Sequence, residues 1–107
     1  MRILVVCGAG ASSTFVAQRV RQAAQARSLD YTAYAGTEAS LAIDVDSSDV
    51  VLVGPHLAPE MDRIRRAVAA HGAVAVLLPD DVFSDRTGER TLDLIHDSLA
   101  GRVETTP

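Results

Sequence analysis

Two short apolar runs most constrain what this chain can fold into. They are "ILVV" at Ile3–Val6 and "VVLV" at Val50–Val53, and neither contains a polar residue. A strand with one solvated face alternates apolar and polar residues, whereas a strand of a parallel sheet covered on both faces is apolar throughout. The two runs therefore predict parallel strands that lie between layers of helices.

Amphipathic segments follow both runs, as parallel strands require. Each shows apolar residues at helical spacing with polar residues between them. Ser12 or Ser13 is expected to cap the first helix, and Pro59 is expected at the first helical position of the second. Gly72 is expected to end the second helix. The predicted buried stripes are Val16, Val20, Ala23 and Ala24 in the first helix, and Met61, Ile64 and Val68 in the second.

The remaining segments complete an alternating α/β pattern. Strands are predicted in "LDYTAYAG", ended by Gly36, and in "AVAVLL", closed by Pro79. Thr37 can cap a short helix over Leu41–Ile43. A last helix with Leu92, Ile95 and Leu99 on one face is expected to end near Gly101, leaving a frayed tail over 101–107.

This pattern predicts one α/β domain over residues 1–100, with a four-stranded parallel sheet of order 2-1-3-4 and helices on both faces. This is the flavodoxin-like order. It places the carboxyl end of strand one beside the loop after strand three, where such folds bind ligands. Cys7 follows strand one and "GPHLAP" follows strand three, so both segments are expected at one crevice.

Composition excludes several classes of function. The 107 residues carry a formal net charge of −4 and 4% aromatic residues, which argues against binding nucleic acid. The chain has no lysine, so neither a Walker-type phosphate loop nor Schiff-base chemistry is available. A single cysteine, no signal sequence and no apolar run long enough to span a bilayer predict a cytoplasmic protein.

The segment after strand one resembles an anion cradle. Glycines permit close approach of the backbone to a ligand, and unpaired amides at a helix N-terminus favour negative charge. Hydroxyl groups can add further donors to a bound phosphoryl group. The residues expected to bind phosphate are Gly8, Ala9, Gly10, Ala11, Ser12, Ser13 and Thr14.

The same amides act on the sulfur of Cys7. A helix N-terminus lowers a thiol pKa from about 8.5 to roughly 3.5–7.5, which makes the thiolate a nucleophile for phosphorus. The predicted species is a transient phosphocysteine. A second interpretation stays open, because a lone cysteine at a strand end is often only buried packing.

Three other interpretations of this segment fit its residues less well. "GAGASS" matches a dinucleotide fingerprint imperfectly, and the chain is short for that fold. A low-molecular-weight cysteine phosphatase needs an arginine near the end of its loop, where Ser13 stands, and Arg19 lies further along the helix. A receiver domain needs an aspartate at the end of strand three, which ends in Gly54 instead.

The motifs "CGAGASST" and "VVLVGPHLAPEMDRIRR" together resemble the IIB components of the bacterial sugar phosphotransferase system, of the lactose/cellobiose/chitobiose type. The resemblance covers roughly Met1–Leu99. It implies that Cys7 is the phosphorylated residue and that Gly8–Thr14 form its phosphate loop. It also implies a IIA component whose histidine donates the phosphoryl group, and a membrane-embedded IIC component through which the accepting sugar enters. The activity implied is that of a protein-phosphocysteine–sugar phosphotransferase.

His56 stands where this family commonly has glutamine, and it is a candidate accessory residue beside Cys7.

Arg63, Arg65 and Arg66 are interpreted as a solvated face or a docking surface for an acidic partner. His71 is expected at a helix end and His96 on the surface, while Asp80 and Asp81 are expected in a solvated turn. One cysteine and these histidine spacings predict no metal site, and no cofactor is expected. A phosphatase and a non-enzymatic flavodoxin-like binding domain with an inert cysteine remain the alternatives.

Overall fold

A computed structural model describes residues 1–6, 10–37, 41 and 45–104, with side chains described except at 10–12, 83 and 101–104. Its four strands are β1 (Arg2–Val6), β2 (Thr32–Gly36), β3 (Val50–Val53) and β4 (Val74–Leu77). They form one sheet of order β2-β1-β3-β4, and all three pairings are parallel. The order predicted from the sequence is confirmed.

Helices cover both faces of this sheet. Helix α1 (Gly10–Ala26) and helix α3 (Glu89–Glu104) pack on one face, and helix α2 (Met61–Ala69) packs on the other. Ile3 and Val5 of β1 belong to the core under α1, whereas Leu4 and Val6 belong to the core under α2. Every residue of Ile3–Val6 and Val50–Val53 has no exposed surface, so the apolar runs do mark strands buried on both faces.

The carboxyl ends of the two central strands lie side by side. Val6 pairs with Val53 of β3 and with Gly36 of β2. The backbone N–H of Gly54 donates to the carbonyl of Val6 at 2.8 Å, which extends the pairing by one residue past β3. The chain after β1 and the chain after β3 therefore leave the sheet next to each other.

Helix starts differ from two of the predictions. Helix α1 begins at Gly10, so Ser12 and Ser13 lie inside its first turn and the prediction that either caps it is wrong. Pro59 does not start α2, because Pro55–Glu60 form a 3₁₀ helix that contains Pro59 and runs into α2 at Met61. Pro55 instead occupies the first turn of the 3₁₀ helix. A backbone N–H in a first turn has no acceptor within the helix, so proline, which has no N–H, loses no hydrogen bond there.

Helix ends confirm one prediction and correct another. Gly72, at φ +78°, terminates α2, and the N–H of Ala73 donates back to the carbonyl of Val68 at 3.1 Å. Helix α3 runs to Glu104 and passes Gly101, where it was expected to end. A glycine costs a helix interior only about 1 kcal/mol, so it ends a helix only where it takes the left-handed conformation.

Two sequence predictions fall at the margins of the described residues. Of the helix expected over Leu41–Ile43, Leu41 is described and buried in the core under α2, and the other two residues lie outside. The single domain over residues 1–100 stays a prediction, and 105–107 of the expected tail lie outside the described residues. Within the described ranges, no helix combines the length and the apolar character that a membrane crossing needs.

Helices α1 and α3 meet without room for a side chain at Gly88. A Cβ atom at Gly88 would overlap the backbone carbonyl of Arg19, and Gly88 also has φ +78°. The adjacent Asp85 carboxylate accepts hydrogen bonds from the backbone N–H and the hydroxyl of Thr91, at 2.9 and 2.8 Å. The Asp85–Thr91 hydrogen bonds order the start of α3, and the missing side chain at Gly88 lets that start pack against the backbone of Arg19 in α1.

We predict that Gly88→Ala lowers the free energy of unfolding by about 3 kcal/mol or more, because the left-handed strain adds to a backbone overlap. Gly72→Ala is the matched control, since Gly72 has the same φ and nothing within 4 Å of its Cβ position. The control should lose only the conformational cost of about 1–2 kcal/mol. Urea unfolding of both variants measures the difference, and equal losses would contradict the close approach.

Candidate functional site

The predicted nucleophile lies between two well-defined elements. Cys7, Gly8 and Ala9 lie outside the described residues, but β1 ends at Val6 and α1 begins at Gly10. Three residues therefore connect the carboxyl end of a central strand to a helix N-terminus. Ligands of open α/β sheets bind at this position.

The first turn of α1 supplies the electrostatics of the site. Backbone N–H groups in a first turn have no acceptor within their helix and form the positive end of the helix dipole. No acidic residue stands in the first turn of α1, so no side chain of that turn competes with an incoming anion. The candidate residues Gly10–Thr14 belong to the start of α1, whereas the sequence predicted a loop there.

The two hydroxyl residues described here differ in access. Ser13 has no exposed surface, whereas Thr14 is exposed. A buried hydroxyl is poorly placed to contact an anion arriving from solvent, so Thr14 is the better candidate for a side-chain donor. Ser13 can still contribute through its backbone N–H, which lies in the first turn of α1.

The segment after β3 forms the other side of the site. Gly54 is hydrogen-bonded to Val6, as described above, and the 3₁₀ helix Pro55–Glu60 starts at the next residue. Leu57 anchors this 3₁₀ helix in the core under α2, while His56 is exposed. His56 is therefore carried by a segment that contacts the end of β1, as the sequence suggested.

The side chain of Arg19 contacts Asp85 and Phe15 rather than the start of α1, where an anion would bind. Its guanidinium donates to the backbone carbonyl of Asp85 at 3.1 Å and lies 4.1 Å from the centre of the Phe15 ring. Sequence reasoning placed Arg19 too far along the helix to serve a phosphatase-type loop, and these contacts agree with that reasoning. It missed Phe15 and Asp85, although an aromatic residue off the apolar stripe of α1 was a usable signal.

The other two histidines contact structural partners. His71 lies just beyond α2, and its Nδ1 contacts the carboxylate of Asp46. His96 was expected on the surface but is half-buried: its Nε2 lies 2.9 Å from the Tyr31 hydroxyl, and the two rings meet edge to face. The prediction for His96 is wrong because the chain beyond α1 folds Tyr31 onto α3.

Charged candidates away from β1 also form local pairs. Asp81 accepts two hydrogen bonds from Arg90, at 3.0 and 3.1 Å, beyond β4. Arg63 pairs with Glu60 at 3.0 Å on the exposed side of α2. Neither pair adjoins the end of β1, and β3 separates β4 from β1.

Among the described residues, no cluster of histidine, cysteine and carboxylate side chains could hold a metal ion. One surface cavity of about 260 Å³ lies between the segment after β4 and α3, where Pro79, Val82 and Leu94 give it an apolar wall. The strand β4 is two strands away from β1 in the sheet.

Comparisons with known proteins agree with this arrangement. The family model "PTS system, Lactose/Cellobiose specific IIB subunit" matches residues 2–93. The structure is similar to a cellobiose-specific phosphotransferase IIB component from Borrelia burgdorferi, at 29% identity and TM-score 0.72, covering 94% of this chain and 93% of the other. It is also similar in fold to a lactose-specific IIB component domain from Streptococcus pneumoniae, at 14% identity and TM-score 0.78, covering 92% and 96%. A search of curated protein sequences gave no match.

We predict that Arg19→Ala destabilises the protein by about 1–2 kcal/mol, because it removes a hydrogen bond and a cation–π contact. Arg21→Ala is the control, since Arg21 donates to the carbonyl of Ala33, at 3.0 Å, and the loss of one such hydrogen bond should cost about 1 kcal/mol or less. Urea unfolding compares them. A stability unchanged by Arg19→Ala would contradict the bracing contacts at Phe15 and Asp85.

Proposed function

The chain belongs to the family of lactose/cellobiose-specific IIB subunits of the sugar phosphotransferase system, and from this premise we propose that it carries a phosphoryl group on Cys7. The donor is a histidine of a IIA component. The acceptor is a hydroxyl of a sugar taken up through a membrane-embedded IIC component. The observation that supports this assignment most is that Cys7 falls in the three residues between the end of β1 and the start of α1.

The proposed reaction has two transfers. The Cys7 thiolate attacks phosphorus, a P–S bond forms, and the P–N bond to the donor histidine breaks with its electron pair left on nitrogen. A sugar hydroxyl oxygen then attacks the same phosphorus and loses its proton to water. The P–S bond breaks, and the thiolate returns.

The helix N-terminus serves both transfers. Its backbone N–H groups stabilise the thiolate and bind the phosphoryl oxygens, and hydrogen bonds to charged groups contribute about 1.5–3 kcal/mol each. Gly8–Thr14 are the proposed phosphate-binding residues. Neutral donors suit a carrier, which must hold its phosphoryl group against water until an acceptor docks.

His56 is proposed as an accessory residue. It is exposed on the 3₁₀ helix that starts beside Val6, so its imidazole can reach a partner or the phosphoryl group at this edge of the sheet. We place the protein in the cytoplasm, where it meets the IIA donor and docks on the IIC component.

Two alternatives predict different behaviour. A low-molecular-weight phosphatase is disfavoured because Arg19 is held by Asp85 and Phe15, which removes the cation that would stabilise attack by water. A binding domain with an inert cysteine would need no helix N-terminus beside its thiol. Phosphoryl transfer to Cys7 and the pH dependence of its alkylation distinguish these alternatives from a carrier.

We predict that phosphorylated IIA proteins of the lactose and cellobiose types transfer one phosphoryl group to this chain, and that Cys7→Ser abolishes the transfer. Intact-mass measurement detects the product directly. A chromogenic phosphate ester is the control and should show no steady turnover. No mass gain with any donor, or sustained hydrolysis of the ester, would contradict the carrier.

We also predict that the Cys7 thiol is alkylated with a midpoint below about pH 7.5, because the helix N-terminus lowers the thiol pKa from about 8.5. Iodoacetamide alkylation followed from pH 5 to pH 10, with a short unstructured cysteine peptide as reference, measures the midpoint. Alkylation slower than that of the peptide at pH 7 would indicate the inert, buried cysteine.

A further inference from the structure

We propose that Phe15, braced by Arg19, is the apolar anchor on which the phosphoryl donor protein docks. The inference rests on the proposed function, because it takes the transfer to occur at Cys7. It adds a recognition residue that takes no part in the chemistry.

Phe15 is exposed where a large apolar side chain would normally be covered. It is 39% exposed and is the exposed large hydrophobic residue among the described side chains. Aromatic residues that stay exposed at low conformational cost are typical anchors of protein interfaces. The way the ring is held and its place on α1 indicate the kind of partner it binds.

The ring is held in one orientation. The Arg19 guanidinium lies 4.1 Å from the ring centre and is itself fixed by its hydrogen bond to the Asp85 carbonyl. The backbone of Arg19 is in turn held by its close approach to Gly88. A ring held in place before binding loses little entropy when it binds, which is the property of an interface anchor.

Phe15 lies near the start of α1, within the reach of a protein interface that covers the chain between β1 and α1. Helix α1 begins at Gly10, so Phe15 lies about 7.5 Å along the helix from its start at 1.5 Å per residue. A standard interface covers about 800 Å² on each partner, a patch of roughly 16 Å radius. A partner protein that covers the start of α1 on this scale therefore extends as far as Phe15.

Charge favours the soluble donor over the membrane-embedded acceptor. Helix α1 contains Arg19 and Arg21 and no acidic residue, in a chain of net charge −4. Cytoplasmic loops of membrane proteins carry an excess of lysine and arginine, which this helix would repel. The surface fits a donor with an apolar socket bordered by carboxylates. A sugar is a poor occupant, because it needs a concave site and Phe15 lies on the outside of a helix.

The test is the rate of phosphoryl transfer as a function of donor concentration, with phosphorylated lactose- and cellobiose-type IIA proteins as the donors. Phe15→Ala should raise the KM for the donor about ten-fold, since loss of a central aromatic anchor typically costs that much or more. The loss should lie in KM rather than kcat. Phe15→Leu and Arg19→Gln should each give a smaller rise, the first by keeping an apolar contact and the second by freeing the ring.

Leu29→Ala is the matched control. Leu29 is a half-buried apolar residue just beyond the opposite end of α1, outside the expected footprint. The KM of Leu29→Ala for the donor should therefore equal that of the unchanged protein. Circular dichroism and urea unfolding verify that each variant is folded. All of these variants keep Cys7. Phosphoryl transfer to the unchanged protein tests the proposed function, and the KM values of the variants test the docking of the donor on Phe15.

The outcomes divide cleanly. A selective rise in KM for Phe15→Ala supports the proposal. A KM equal to that of Leu29→Ala overturns it, and so does a loss confined to kcat or to the later transfer to sugar. Self-association of the chain that is abolished by Phe15→Ala, measured by sedimentation, would also overturn it, because the occupant would then be a second copy.

Discussion

The burial of β1 and β3 on both faces is the constraint on which the rest of this structure depends. Residues Ile3–Val6 and Val50–Val53 have no exposed surface, and burying an aliphatic side chain is worth about 1.5–3 kcal/mol. Side chains that alternate between two cores need a helical layer on each face. The parallel pairing that results brings the ends of both strands, at Val6 and Val53, to one edge. The chemistry proposed for this protein needs that edge.

Helix α1 combines three roles along its length. Its N-terminus, at Gly10, supplies backbone donors and the positive end of the helix dipole three residues after Cys7. Its second turn presents Phe15, held by Arg19. Its buried stripe packs against the sheet and α3, where Gly88 lets the backbones approach closely. The helix that stabilises the fold therefore also aligns the site, and mutations that loosen the contact between α1 and α3 are expected to affect both.

Much of the site was accessible from the sequence because it depends on local rules. The apolar strand before Cys7 and the glycines after it are patterns within a few residues. The order of the strands was predicted from the alternation of strands and helices along the chain and from the handedness of their crossovers. The contacts that sequence reasoning missed join residues that are far apart in the chain. Tyr31 half-buries His96 across 65 positions, and Arg19 finds the Asp85 carbonyl across 66.

The sequence alone determined the parallel strands and the end of β1 directly before the one cysteine, because strand burial and helix periodicity show in neighbouring residues. The strand order also followed from the sequence, through the alternation of strands and helices. Only the tertiary structure decided that α1 starts at Gly10, that Ser13 is buried while Thr14 is exposed, and that Arg19 braces Phe15. Those features depend on how one helix packs against a sheet and another helix. Side-chain packing is set by the sum of many distant contacts, which no local pattern records.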